Sequence, residues 1–82
     1  MLKISVISPE ATLYEGETDA IVAPAFDGEV GILTGHAPMM ALLGKGVLRL
    51  GGDAGPRFNV QGGFLQVADN VVRVVTEHAS AA

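Results

Sequence analysis

With 82 residues, 49% of them hydrophobic and 17% charged, the chain is large enough for one small globular domain and too apolar for a disordered segment. It contains no cysteine, which excludes disulfides and thiolate metal sites. The net charge of −4, with Lys3, Lys45, Arg49, Arg57 and Arg73 scattered along the chain, argues against a nucleic-acid duplex as partner.

A chain of this mass exposes about 12,000 Å² unfolded and about 4,600 Å² folded, so roughly 60% of its surface is buried. Aromatic residues make up 5%, so aliphatic side chains must fill the core. The N-terminus, MLKISVISPE, has no long apolar segment behind Lys3 and does not read as a signal peptide. No uninterrupted apolar run approaches the ~20 residues of a membrane helix, so contact with a membrane is expected only through a partner.

In chain order, Leu2, Ile4 and Val6 alternate with Lys3 and Ser5, the period of a strand with one face inward. Ser8-Pro9-Glu10 ends it, because Pro9 cannot donate to a ladder. A second extended segment is predicted from about Ala11 to Ala23, with Gly16 as a bulge or bend and Pro24 as its close. Asp27-Gly28-Glu29 reads as a polar turn, Val30–Leu33 as a short strand, and Thr34-Gly35-His36-Ala37-Pro38 as a second loop. The apolar run Met39–Leu43 follows, closed by Gly44; a short helical turn over Ala37–Leu43, capped by Gly44, is the one helical candidate.

Val47-Leu48-Arg49-Leu50 is a strand, and Gly51-Gly52-Asp53-Ala54-Gly55-Pro56 is a turn cluster. Arg57–Gln61 resumes a strand that Gly62-Gly63 breaks. Phe64, Leu65 and Val67 form another, ending at Ala68-Asp69-Asn70, and Val71–Val75 is the last; Glu77–Ala82 shows no periodicity. Short Val-, Ile- and Leu-rich segments separated by glycine turns indicate one all-β domain, an antiparallel sandwich or barrel.

The search for catalytic chemistry fails at each step. Ser5, Ser8 and Ser80 lie in no nucleophile-elbow pattern. His36 and His78 are far apart, without a second histidine or a carboxylate at ligand spacing. Gly44-Lys45 suggests a phosphate loop only until positions 39 and 46 are read: the motif needs Gly and Ser or Thr where Met39 and Gly46 stand. A lone loop histidine such as His36 is a structural or interface residue rather than a catalytic one. Glu15, Glu17 and Asp19 read as a solvated face, and Asp27 and Glu29 as a turn able to meet basic or polar loops of a partner. Leu42 and Leu43 are core candidates, whereas adjacent Met39 and Met40 suit an adaptable apolar docking surface.

The segments ISVISPEATLYEGE, FDGEVGILTGHAP, GKGVL and QGGFLQVADNVV, in that order, closely resemble the epsilon-subunit family of F-type ATP synthases from about Leu2 to Ala79. The Gly-His-Ala-Pro loop preceded by Asp-Gly-Glu-Val-Gly-Ile is the most specific part, and Gly-Gly-Phe-Leu strengthens it. The resemblance implies a ten-stranded β-sandwich that is a non-catalytic part of the rotor. In the family this domain binds the foot of the gamma subunit on one side and polar loops of the membrane-embedded c-ring on another, coupling ion flow to ATP synthesis. It implies gamma contacts at Ser8, His36, Ala37, Pro38, Met39 and Met40, and ring contacts at Asp27, Gly28 and Glu29. No cofactor is implied.

Two departures bear on these expectations. The family usually continues into a C-terminal two-helix hairpin that inhibits ATP hydrolysis and in some members binds ATP. Here the sequence reaches only Ser80-Ala81-Ala82: if the natural chain ends there, neither property is expected of it, and if it continues, nothing follows about regulation. Thr34 stands where Pro is common and Gln66 where Glu is common, and Thr34 leaves the loop before His36 less rigid. The resemblance places the protein at the cytoplasmic face of a bacterial inner membrane. The rivals are a free-standing adaptor domain using the same apolar patch, and a small enzyme or ligand-binding module built around a pocket at His36.

Overall fold

The computed structural model describes residues 1–51 and 55–82. In it, alternating apolar residues have assembled into ten strands: β1 (Leu2–Ile7), β2 (Thr12–Thr18), β3 (Ala20–Ala25), β4 (Gly28–Leu33), β5 (Met39–Leu42), β6 (Lys45–Leu50), β7 (Arg57–Gln61), β8 (Phe64–Ala68), β9 (Val71–Val75) and β10 (His78–Ala81). They form two five-stranded sheets, β2-β1-β9-β8-β5 (sheet I) and β10-β7-β6-β3-β4 (sheet II). The fold is the β-sandwich. Its pairs are antiparallel except β1 with β9, which run parallel with Ile4 opposite Val72 and Val6 opposite Val74.

One face of each sheet is closed. Leu2, Ile4 and Val6 of β1, Leu65 and Val67 of β8, and Val72 and Val74 of β9 point inward from sheet I. They meet Ile21, Ala23, Ile32, Leu48, Leu50, Phe58 and Val60 of sheet II in one continuous core. A Leu or Val buried this completely contributes roughly 1.5–3 kcal/mol, and together these side chains hold the two sheets face to face. Tyr14 and Phe58 extend the contact between sheets, with ring centroids 5.6 Å apart.

The structure corrects several of the sequence expectations. Ala11–Ala23 is two strands in different sheets, because the chain crosses from sheet I to sheet II at Asp19 and the inward parity changes there: Thr18 and Ile21 are both buried. Gly16 is not the bulge; it pairs regularly with Ile4, and the register shift lies between Val6 and Ile7. Its lack of a side chain makes room for Tyr14, whose hydroxyl would stand 2.7 Å from an added Cβ. Pro24 does not close its strand, for β3 runs on to Ala25. The ladder to β6 has already ended at Val22, so the missing N–H of Pro24 leaves no partner unserved on that side.

The helical turn over Ala37–Leu43 is instead β5, pairing with β8 from Met39–Val67 to Leu42–Phe64. A short apolar run is ambiguous between helix and strand, and the open edge of β8 decides it. Gly44 caps nothing; its N–H donates to the Pro24 carbonyl at 2.8 Å and ties the end of β5 to sheet II. The unpatterned tail forms β10 on the edge of β7, held by the ladder, with Ala79 alone of its residues packed on the core. Within the turn cluster Gly51–Pro56, residues 52–54 lie outside the described residues.

Candidate functional site

The outward face of sheet I follows from the registers that build its inner face. Ile7 lies opposite Val75, Val75 opposite Phe64, and Phe64 opposite Leu42, so four apolar residues form one row across β1, β9, β8 and β5. Of the two leucines expected in the core, Leu43 is buried but Leu42, facing outward at the end of β5, keeps 67% of its surface exposed; the other three of the row are half-buried. The next row is Ser5, Arg73, Gln66 and Met40. Its centre is polar, but Met40 at the edge is 64% exposed. The apolar surface is therefore one transverse row, the outer side of β5 and, at the other end of β9, the exposed Val71 between Lys3 and Ala68. The Phe26 N–H donates to the Leu42 carbonyl at 2.8 Å, setting exposed Phe26 beside the end of that row.

Of the residues expected at a gamma interface, Met40 lies on this face, and Met39 is partly buried against the core. Ala37 and Pro38 lead exposed into β5. His36 closes a turn through its N–H to the Leu33 carbonyl at 3.0 Å. Its Nδ1 lies 2.7 Å from the Ala37 carbonyl; a carbonyl only accepts, so Nδ1 carries the proton. Ser8 lies at the far corner of sheet I, beyond Ile7 and three strand spacings (roughly 14 Å) from β5. Its hydroxyl donates to the Ala11 carbonyl at 3.2 Å and accepts the Ala11 N–H at 3.3 Å, fixing the β1–β2 loop. A partner touching both Ser8 and His36 has to cover the whole outer face.

Asp27, Gly28 and Glu29 form the tip of the β3–β4 hairpin, where Ala25 pairs with Gly28 across a two-residue loop. Gly28 has φ +132°, a conformation other residues enter only under strain. Asp27 is exposed at the tip. The Glu29 carboxylate accepts from Arg49 at 3.2 and 3.3 Å, an exposed pair that contributes little to stability. Because Phe26 hydrogen-bonds to Leu42, this polar tip adjoins the apolar end of sheet I.

A cavity of about 540 Å³ opens elsewhere, between the β1–β2 loop and strands β6, β7 and β10, with Lys45, Asn59, Gln61, Glu77 and His78 on its walls. His36 is not among its lining residues. Among the described residues, no group of three or more His, Asp or Glu could hold a metal ion, and no helix is long and apolar enough to cross a membrane.

Sequence reasoning missed the Ile7–Val75–Phe64–Leu42 row. Ile7, Val75 and Leu42 stand at the ends of their strands, where alternation says least about the outer face. It also missed the Arg49–Glu29 pair, which no spacing along the chain announces.

Comparison with known proteins now adds what geometry alone does not. Residues 1–82 match the family model described as ATP synthase, Delta/Epsilon chain, beta-sandwich domain. The chain is 48% identical over 80 residues to the ATP synthase epsilon chain of Leptospira borgpetersenii, covering 96% of this chain and 63% of that one. It is 37% identical over 79 residues to the epsilon chain of Caulobacter vibrioides, of which it spans 92%. Its fold superposes with a TM-score of 0.86 on a chain in the cryo-EM structure of the Euglena gracilis mitochondrial ATP synthase OSCP/F1/c-ring assembly; identity is 25%, covering 98% of this chain and 52% of that one. A chain of the Tetrahymena thermophila mitochondrial ATP synthase central stalk and c-ring shares the fold with a TM-score of 0.77 and 17% identity, covering 96% of this chain and 65% of that one.

Proposed function

The chain belongs to the ATP synthase delta/epsilon β-sandwich family, and from that premise we propose that it is a non-catalytic rotor component joining the gamma subunit to the c-ring. Residues 1–82 act in this reading as one domain. The outer face of sheet I receives gamma, through Met40 together with His36, Ala37, Pro38, Met39 and, at the far corner, Ser8. The β3–β4 tip, Asp27-Gly28-Glu29, meets the ring.

The observation that carries the reading is the unequal character of two adjoining surfaces. Met40 and Leu42 stand exposed at 64% and 67% beside a half-buried apolar row. Completing the burial of each is worth roughly 1–2 kcal/mol, so a protein partner gains by covering them. The hairpin tip is polar and exposed, and suits hydrated loops rather than an apolar groove. One rigid sandwich thus presents a sticky face and a polar tip at fixed geometry, which is what passing rotation from ring to gamma demands. Torque is transmitted by shape and packing, with no chemical step on this chain. Membrane association is indirect, through the complex at the cytoplasmic face of a bacterial inner membrane.

Size-exclusion chromatography with light scattering, on the chain mixed with gamma from the same source, tests the reading. A stable one-to-one complex is expected. Failure to associate at micromolar concentration would overturn it and leave an adaptor for another partner as the better account.

A further inference from the structure

We propose that Asn70 is the positioning residue that holds the His36 loop in its docking geometry, a role additional to shaping its own turn. The inference rests on the reading that sheet I docks gamma.

Asp69 and Asn70 are the two residues between β8 and β9, with φ +51° and +61°. Asn is among the few side chains that accept this left-handed conformation, so the turn alone would explain its presence. Two contacts go beyond the turn. The Asn70 backbone carbonyl accepts the Lys3 N–H at 2.8 Å, binding the turn to the start of β1. Its side-chain Oδ1 accepts the Gly35 N–H at 2.6 Å, reaching a loop 35 residues away in sequence.

That second bond matters because of what the loop does. Residues 34–38 carry the chain from β4 in sheet II to β5 in sheet I, and β5 presents Met40 and Leu42. Gly35 has φ +87° and Thr34 brings no ring constraint, so the backbone here has freedom to lose. The local turn, His36 N–H to Leu33 carbonyl, orients the loop on sheet II alone. Asn70 ties it to sheet I, so the approach to β5 is set before a partner arrives.

The test separates turn from tether. Asn70→Gly keeps the left-handed turn and removes the acceptor; Asn70→Asp keeps an oxygen in the same place. In the full chain, amide exchange at Gly35 is followed by NMR and gamma affinity by calorimetry. Asn70→Gly is expected to speed Gly35 exchange and to weaken gamma binding, each by about two- to tenfold, the range one hydrogen bond supports. Asn70→Asp is expected to retain both. Unchanged exchange or unchanged affinity in Asn70→Gly would reduce Asn70 to a turn residue, as would equal losses in the two variants. A wild-type chain that fails to bind gamma overturns the docking reading instead, and the Gly35 contrast then judges the tether without a partner.

Discussion

Replacing Met40 by Asp probes the proposed gamma face at its most exposed apolar strand. Met40 is 64% exposed in the free chain, so that share of its surface remains to be covered on docking. Full burial of a methionine is worth about 1.5–3 kcal/mol, which makes its loss here roughly 1–2 kcal/mol. The incoming carboxylate adds the desolvation of an unpaired polar group, about 1–3 kcal/mol. The total exceeds 1 kcal/mol on any combination and predicts a Kd for gamma at least about tenfold weaker. The fold should tolerate the change. β5 is an edge strand, Met40 points outward opposite Gln66, and Asp in a strand costs up to ~1 kcal/mol. Titration calorimetry against gamma, alongside a thermal melt, measures both quantities. Met40→Leu, similar in volume and polarity, should keep the affinity. Unchanged affinity in Met40→Asp with an intact melt would refute the assignment of this strand to the interface.

Other substitutions probe the ring contact and the frame. Glu29→Lys sets a second cation beside Arg49 and should weaken association with the isolated ring while leaving gamma affinity unchanged; equal loss of both would mean that the fold had failed instead. Leu65→Ala empties a fully buried site and should destabilise the chain by about 2–5 kcal/mol in urea unfolding; a loss below ~1 kcal/mol would contradict the described core. Gly63 has φ +99°, and a Cβ there would stand 1.9 Å from the Val75 carbonyl oxygen. Gly63→Ala should therefore lose at least about 2 kcal/mol, a fall in Tm of about 8–16 °C. A melt within 2 °C of wild type, a bound of about 0.5 kcal/mol, would show that the backbone there relaxes freely.

The strands that alternation makes legible are those with one face in the core. Leu2, Ile4 and Val6 declare β1, and Val72 and Val74 declare β9, because their burial pattern repeats every second residue. β5 was legible only as an apolar run. Its strand character comes from pairing with β8, a contact between segments more than twenty residues apart, which no local window contains. β10 shows the opposite failure: its small and polar residues carry almost no pattern, and the ladder to β7 alone makes it a strand. Thr18 and Ile21 look like a broken alternation until the crossing between sheets at Asp19 explains them. For the candidate surfaces, the exposed hairpin tip and the outward Met40 were readable from turn residues and paired methionines. The apolar row through Phe64 and the Asn70–Gly35 bond were not, since each exists only where distant segments meet.

The central claim assigns two partners to two surfaces of one rigid sandwich, and the absence of cysteine makes that testable by single-site cross-linking. Met40→Cys, Asp27→Cys and Asn59→Cys, each carrying a short photoreactive label, would be incorporated into the assembled complex and irradiated. The account predicts that position 40 links to gamma and position 27 to the ring, while position 59, exposed on β7 of sheet II and sharing a cavity wall with Ser8, does not link to the ring. Linkage of position 40 to the ring and of position 27 to gamma, or indiscriminate linkage from all three, would contradict it.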